Sequence, residues 1–367
     1  MPTDHDARDR QPAPRPTRPP CRRIDVAPIP GRRALAALAC ATLALLLAAC
    51  GDDVATGRTA PSESILPAVE RAAATNPAPD AADAEPISIR FDSLSAQDGL
   101  RLTISVRGDA DGDTAFSLHP CCGIEGADRF VRDVRIRASG RPVPTRRQGA
   151  RWTVAHAPRA PLSVSYRLPP SGTTRINAGP AALFRPLVDG AWFHLIGHAA
   201  LLLPVRGRDG DPVALSIDAT GLPTPGTFVS SFGAGAAARG IRVARSQVLE
   251  ALYLGGATHL KVEDTRRGRV AIAHTGIAAG FPTTGLSREV LGVVDAARDF
   301  FGSTQPWYLV SVHGGSAQDR NLRIGGGTGL TNTFAMFVAS DLSLADAGQR
   351  EQFRWLLAHE YTTSGSA

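Results

Sequence analysis

The stretch LSREVLGVVDAARDFFGSTQPWYLVSVHGG, residues 286–315, decides the fold because the spacing of its apolar residues changes halfway along it. Ser287 is a suitable cap for the start of a helix, and Gly302 for its end. The second half, WYLVSVHGG, is a continuous apolar run and predicts a strand. In the first half, the apolar side chains recur at the spacing of one buried helix face: Val290, Leu291, Val294, Ala297 and Phe300.

The residues that follow continue the alternation of helix and strand. The glycine-rich run GGGTGLTN, residues 325–332, leads into a second apolar run, TFAMFVASDL, which also predicts a strand. A second helix is expected from about Leu344, with Phe353 and Leu357 on its apolar face, and it carries His359-Glu360 near its end. Residues 283–367 therefore form a helix-strand-helix region.

The residues ahead of this region alternate apolar and polar side chains in many short runs. ISIRFDSLS (87–95), LRLTISVRG (100–108) and LSVSYRL (162–168) are typical of the strands of a β-sandwich. One helix is expected in RSQVLEALYLGG (245–256), whose apolar residues have helical spacing. The predicted fold class is α+β and multidomain, with an N-terminal β-sandwich-like domain over residues 87–282 and a second domain over residues 283–367.

The N-terminus has the pattern of an export signal. Four arginines (Arg22, Arg23, Arg32, Arg33) precede an uncharged apolar run that is too short to span a membrane comfortably. The run ends in LAAC, which resembles a bacterial lipobox and makes Cys50 the predicted lipidation site; an ordinary signal peptide with an incidental cysteine is the alternative. We therefore expect residues 1–49 to be a signal peptide and residues 50–86 a lipidated, disordered tether. The expected location is the cell envelope, at the outer membrane facing the periplasm.

The charge of the chain argues against nucleic-acid binding. The formal net charge is +6, but residues 1–49 hold eight Arg and four Asp, so the remaining chain carries only +2. Lys261 is the only lysine, and no cluster of basic residues with interleaved aromatics occurs. We expect no nucleic-acid partner.

His359-Glu360 is the strongest candidate for chemistry. In a zinc-peptidase helix of the form HExxH, two histidines four residues apart bind one zinc ion, and the glutamate activates the metal-bound water. Here the position four residues after His359 is Thr363. Taken alone, the dipeptide is better explained by an exposed histidine beside a glutamate. The glycine-rich run of residues 325–329 lacks the lysine of a phosphate-binding loop, which argues against nucleotide binding.

The order of these features resembles the glycyl aminopeptidase family of zinc metallopeptidases. The stretches that carry the resemblance are SSFGAG (230–235), ALYLGG (251–256), VVDAARDFFGSTQPWYLVSV (293–312), GGGTGLTNTFAMF (325–337) and RWLLAHEY (354–361). The resemblance implies an N-terminal β domain and then the first part of a thermolysin-like metallopeptidase domain. It makes His359 a zinc ligand and Glu360 the general base. It also places Gly325, Gly326, Gly327, Thr328 and Gly329 in a strand that borders the substrate cleft.

The resemblance implies zinc-dependent hydrolysis of peptides, with a peptide or protein as substrate. Beyond Tyr361 the match stops, and we expect the catalytic domain to be truncated and the zinc site to be incomplete, so that the chain as given is inactive. The alternative is a non-catalytic envelope lipoprotein that binds a peptide or protein partner through its β domain. In both cases the lipid on Cys50 would attach the protein to the membrane.

Overall fold

A computed structural model describes residues 84–119, 126–172, 175–176, 183–224, 227–276, 283–317 and 323–363. The predicted signal peptide, Cys50 and nearly all of the predicted tether lie outside the described residues. No helix within the described ranges combines the length and the apolar character that crossing a bilayer requires.

The described part of the chain is largely β, with few helices. The strands run in chain order as follows: β1 Glu85–Ser95, β2 Gly99–Arg107, β3 Asp113–Ser117, β4 Arg132–Ala138, β5 Arg141–Pro142, β6 Thr145–Gln148, β7 Arg151–Ala155, β8 Pro161–Leu168, β9 Leu187–Val188, β10 Trp192–Ile196, β11 Leu203–Pro204, β12 Pro212–Asp218, β13 Val229–Ser230, β14 Gly233–Ala234, β15 Ala237–Ala244, β16 Leu252–Gly256, β17 His259–Thr265, β18 Gly268–Thr275, β19 Trp307–Gly315, β20 Ile324–Leu330 and β21 Thr333–Ala339. The α-helices are α1 Gly197–Ala200, α2 Arg245–Leu249, α3 Thr283–Phe301 and α4 Ala347–Thr363, and a 3-10 helix covers Ala127–Phe130.

The N-terminal half is built from three sheets around one shared core. A seven-stranded sheet has the order β15-β12-β1-β2-β8-β4-β5, a four-stranded sheet the order β11-β3-β7-β6, and a five-stranded sheet the order β14-β13-β16-β10-β9. The alternation of apolar and polar residues directs one face of each strand inward, as in β8, where every second residue is buried. Phe91, Trp152 and Tyr253, one from each sheet, belong to the same buried cluster.

The fourth sheet carries the candidate site and has the order β17-β18-β19-β21-β20. Strands β18, β19 and β21 are parallel, while the two edge strands are antiparallel to their neighbours. Parallel neighbours need a crossover connection, and α3 lies in the one between β18 and β19. All nine residues of β19 are buried, which explains its uninterrupted apolar sequence. This sheet begins at His259, ahead of the domain boundary predicted at 282/283.

Local predictions differ from the structure at two helices. In residues 245–256, α2 covers only Arg245–Leu249, and Leu252–Gly256 form the buried strand β16. Helix α3 begins at Thr283, so Ser287 is a buried residue of its interior and not its cap. Gly302, by contrast, has φ 64 directly after α3, which is the left-handed conformation of a helix stop.

Hydrogen bonds connect the second five-stranded sheet to the sheet that contains β13 and β16. The hydroxyl of Ser231 lies 2.7 Å from the hydroxyl of Thr333 and accepts a hydrogen bond of 2.8 Å from the backbone N–H of Leu252. The indole N–H of Trp307 donates to the carbonyl of Ser230 at 3.1 Å. Both serines are buried, so these bonds form without competition from water.

Two histidines are buried at the same junction. The rings of His194 in β10 and His313 in β19 lie 5.9 Å apart, and Phe337 contacts both of them edge-on. Burial lowers the pKa of His194 to about 4, and burial together with the neighbouring His194 lowers the pKa of His313 to about 3. Both imidazoles are therefore neutral at pH 7.

We predict that acid destabilises the protein through this pair. The folded-state pKa values lie below the ordinary value of 6.5, so the unfolded chain takes up protons first as the pH falls. The contribution of the two neutral imidazoles to the free energy of unfolding is complete above pH 6.5. It declines as the pH falls towards the pKa values of the folded state. The variant His194→Asn/His313→Asn should lose less Tm than the unchanged protein between pH 7.5 and pH 4.5. An equal loss in both proteins would contradict this assignment.

Candidate active site

Helix α4 begins at a defined cap. Asp346 immediately precedes the helix, and its carboxylate accepts the backbone N–H of Gln349 at 2.8 Å, three residues on. The side chain of Gln349 in turn accepts the backbone N–H of Ser343 at 2.9 Å. Capping by aspartate satisfies an amide that has no partner within the helix and favours a start at this position.

One face of α4 is buried, and this orients the candidate residues. Phe353, Leu357 and Tyr361 recur every four residues and are fully buried. The ring of Tyr361 packs edge-on against Tyr308 of β19, with centroids 5.0 Å apart, and its hydroxyl lies 3.3 Å from the hydroxyl of Ser303. His359 and Glu360, which lie between these positions, are only half-buried.

Glu360 contacts the glycine-rich strand directly. The backbone N–H of Gly329 in β20 donates a hydrogen bond of 3.1 Å to a carboxylate oxygen of Glu360. Strand β20 is at the edge of its sheet and pairs with β21 through a turn in which Asn332 has φ 49. The structure thus brings together the predicted cleft strand, residues 325–329, and the predicted His-Glu helix.

Glycine is required in β20 because neighbouring groups approach its backbone closely. A Cβ on Gly325 would overlap the carbonyl of Ile176, and a Cβ on Gly327 would overlap the ring of Phe334. Gly326 has φ 125, a conformation that side chains rarely adopt. The glycine run therefore lies within a strand, Ile324–Leu330.

His359 stacks on an aromatic side chain of its own helix. The rings of Trp355 and His359, one turn apart, lie 5.3 Å between centroids at an angle of 10°. Trp355 is 58% exposed, so the stack faces away from the core. This residue was missed in the sequence analysis, although an aromatic residue four positions before a candidate histidine is a usable signal.

An ion pair connects the two long helices. Glu289 of α3 has a side chain that is 2% exposed, and its carboxylate accepts a hydrogen bond from the guanidinium of Arg354 in α4, which is 41% exposed. Without Arg354, the buried carboxylate would keep only the exposed guanidinium of Arg288, 3.7 Å away, as a partner. Glu289 and Arg354 therefore fix α4, which carries His359, against α3.

The described residues do not supply a zinc site of the kind that the resemblance implies. A catalytic zinc ion needs three protein ligands. Within the described ranges, no group of three His, Cys, Asp or Glu side chains is arranged to hold a metal ion. On α4 the position four residues after His359 belongs to Thr363, so His359 is the one imidazole that this helix offers. These residues do not fit the predicted zinc ion.

The histidines of FHLIGHA do not change this result. His194 and His198 are four residues apart, and in one extended strand this separation would prevent them from sharing a metal ion. His194 does lie in β10, but His198 lies in the short helix α1. His194 packs against His313 in the interior.

Comparison with known proteins gives a match at the level of fold. No protein-family model matches the chain, and no curated protein matches it. The match with an aminopeptidase N family protein from Idiomarina loihiensis covers 76% of this chain and 47% of that protein, with 13% identity and a TM-score of 0.56. An M1 zinc metallopeptidase from Deinococcus radiodurans matches 76% of this chain and 64% of its own, with 13% identity and a TM-score of 0.43. A mutant of the latter enzyme, bound to a Tyr-Ser-Ala substrate, matches 73% of this chain and 62% of its own, with 12% identity and a TM-score of 0.42.

The first of these structures shows a shared fold. The chain spans less than half the length of that protein, and at 13% identity the likeness says nothing about activity. The resemblance to zinc metallopeptidases is therefore confirmed in part, as a likeness of fold. The glycyl aminopeptidase family in particular stays a prediction.

We predict that Gly327→Ala destabilises the protein by about 1 to 3 kcal/mol, because its methyl group would overlap the ring of Phe334 and push β20 outward. Gly292→Ala is the matched control, since a Cβ at this exposed position of α3 meets no atom within 4 Å. The control should be neutral or more stable by up to about 1 kcal/mol. Urea unfolding measures both changes, and equal stability of the two variants would contradict the close approach at Gly327.

Proposed function

We propose that this chain is a peptide-binding member of the zinc metallopeptidase lineage and that it does not hydrolyse peptides by itself. The carrying observation is the hydrogen bond from Gly329 to Glu360, which joins the glycine-rich edge strand to the helix with the His-Glu pair. The shared fold with an aminopeptidase N family protein supports the lineage. Membership of the glycyl aminopeptidase family in particular is part of the same proposal and rests on the sequence resemblance.

The edge strand suits an extended peptide. Strand β20 has a paired neighbour, β21, on one side and is the last strand of its sheet on the other. An extended peptide can add to such an edge through main-chain hydrogen bonds. The residues of β20 from Ile324 to Gly329 are half-buried, and Glu360 supplies a carboxylate beside Gly329 for a positively charged peptide amino group.

The proposed organisation follows the expectations from the sequence. An N-terminal β-rich domain is followed by the first part of a thermolysin-like domain, which gives an α+β multidomain protein. We propose further that the protein is exported, is anchored to the outer membrane by a lipid on Cys50, and faces the periplasm. No nucleic-acid partner is proposed.

The available metal-binding side chains limit the chemistry of this site. His359 and Glu360 correspond to a zinc ligand and a general base by resemblance, but α4 supplies one imidazole, and the described residues contain no group of three metal ligands. In this chain no metal-dependent step follows from these residues. Their supported role is to present a carboxylate and a stacked imidazole beside the edge strand.

We predict that the full chain binds a short peptide with a free amino terminus and that Glu360→Gln weakens this binding about tenfold, because a charge-assisted hydrogen bond is lost. Fluorescence anisotropy of tetra-alanine labelled at its carboxyl end measures the affinity. Glu351→Gln, which removes the same charge from an exposed position of α4, is the control and should bind as the unchanged chain does.

Two further outcomes test the proposal. Acetylation removes the positive charge of the peptide amino group. The acetylated peptide should therefore bind the unchanged chain no more tightly than the free peptide binds Glu360→Gln. Binding that is indifferent to both changes would place the peptide elsewhere and favour the alternative of a partner-binding β domain. Chelator-sensitive release of amino acids from the peptide would contradict the absence of hydrolysis.

Zinc affinity provides a separate prediction. The unchanged chain should bind zinc weakly, and Thr363→His should raise the affinity roughly tenfold or more, since it places a second imidazole one turn from His359 on the same helix face. Thr362→His, displaced by one position, is the control and should give a smaller gain. One tightly bound zinc equivalent in the unchanged chain, measured by elemental analysis after dialysis, would overturn the prediction.

A further inference from the structure

A cavity lies at the opposite edge of the same sheet from β20. It is open to solvent, has a volume of about 270 Å³ and lies between the hairpin of β17 and β18 and the first turns of α3. Its polar lining consists of His259, Lys261, His274, Thr283 and Ser287, and its apolar lining of Leu260, Ile272 and Leu286. None of these residues belongs to the site on α4 and β20.

The pairing of the two strands explains why these polar groups converge. His259 is directly opposite His274, and Lys261 is opposite Ile272. Because side chains alternate along a strand, His259 and Lys261 project on the same side of the sheet, and that side is the one that α3 covers. Fourteen residues separate the two histidines in the sequence. The register between β17 and β18 brings them together.

The polar lining is rich in hydrogen-bond donors. The ammonium of Lys261, the chain's only lysine, has three N–H groups, each imidazole has one or two, and each hydroxyl has one. Among the described residues that line the cavity there is no carboxylate. Glu263, two positions along β17, forms an ion pair with Lys261 from outside the lining and competes with any second anion for the same ammonium.

The arrangement of the histidines favours an anion over a metal ion. The rings of His259 and His274 are stacked, with centroids 4.5 Å apart and an angle of 15°. An imidazole nitrogen binds a metal ion in the plane of its ring, so two parallel, stacked rings cannot both direct a lone pair at one ion. Parallel rings can, however, present N–H groups side by side to two oxygens of one acceptor. The adjacent ammonium also repels a cation.

We propose that this cavity binds the oxyanion of a small organic molecule, a carboxylate or phosphoryl group, through Lys261, His259 and His274. The hydroxyls of Thr283 and Ser287 provide further donors from α3. Ile272 and Leu286 contact the carbon part of the ligand. A volume of about 270 Å³ suits a small organic molecule.

The experiment uses the full chain and the imidazole proton signals in its NMR spectrum, assigned with His259→Gln and His274→Gln. Inorganic phosphate, acetate and butanoate are titrated at constant ionic strength. The signals of His259 and His274 should shift with saturation, while those of His194 and His313 stay unchanged. Tighter binding of butanoate than of acetate identifies an organic carboxylate as the ligand class, and tighter binding of phosphate identifies a phosphoryl group.

Three variants assign the binding to this cavity. Lys261→Met should weaken the anion about tenfold or more, because a charge-assisted hydrogen bond is lost. Arg266→Met is the matched control: it removes one positive charge from the turn of the same hairpin, where the side chain is 86% exposed, and should change the affinity less than about twofold. Glu263→Gln should strengthen binding, because it removes the competing carboxylate.

The proposal is overturned by equal weakening in Lys261→Met and Arg266→Met, which indicates non-specific attraction. It is also overturned if none of the anions shifts the two signals. If zinc or nickel ions shift the two signals and the anions do not, the cavity is a metal site and not an anion site. Because none of these readouts involves Glu360 or a peptide, the result is independent of the proposed function.

Discussion

The hydrogen bond between the backbone N–H of Gly329 and the carboxylate of Glu360 is the constraint on which the candidate site depends. It requires that α4 approach the edge strand closely at Gly329. The rest of β20 is fixed by close neighbours of its own, because a side chain on Gly325 would overlap Ile176 and one on Gly327 would overlap Phe334. The hydrogen bond also requires that α4 be held in place. The buried residues Phe353, Leu357 and Tyr361 and the ion pair between Glu289 and Arg354 meet that requirement.

Most of the strands and the two long helices could be predicted from the sequence, because each has one apolar face or is apolar throughout. The failure at residues 245–256 has a physical cause: Leu252 and Leu254 have a spacing that fits a short buried strand as well as a helix, and burial of β16 on both faces removes the alternation that would distinguish them. The contacts of the site were less predictable. The stack of Trp355 on His359 is local and detectable, but the contacts of Glu360 with Gly329 and of His259 with His274 depend on strand register and helix packing.

The site combines features of a metallopeptidase with an incomplete set of donors. The His-Glu pair lies on a helix behind a glycine-rich edge strand, in a chain that shares its fold with an aminopeptidase N family protein. The described residues nevertheless bring no second and third metal ligand to His359. A carboxylate beside an edge strand could orient a peptide, and this is the basis of the proposed binding function. The donor-lined cavity at the far edge of the sheet is a separate feature of the same framework.

The most direct test of this account is the hydrogen-exchange rate of the Gly329 amide, measured by NMR in the unchanged chain and in Glu360→Ala. The account predicts that the amide is protected in the unchanged chain and exchanges at least about tenfold faster in the variant, because the loss of a charge-assisted acceptor exposes the N–H to water. Glu351→Ala, on the same helix, should leave the rate unchanged. Fast exchange of Gly329 in the unchanged chain, or equal protection in Glu360→Ala, would contradict the link between the helix and the edge strand.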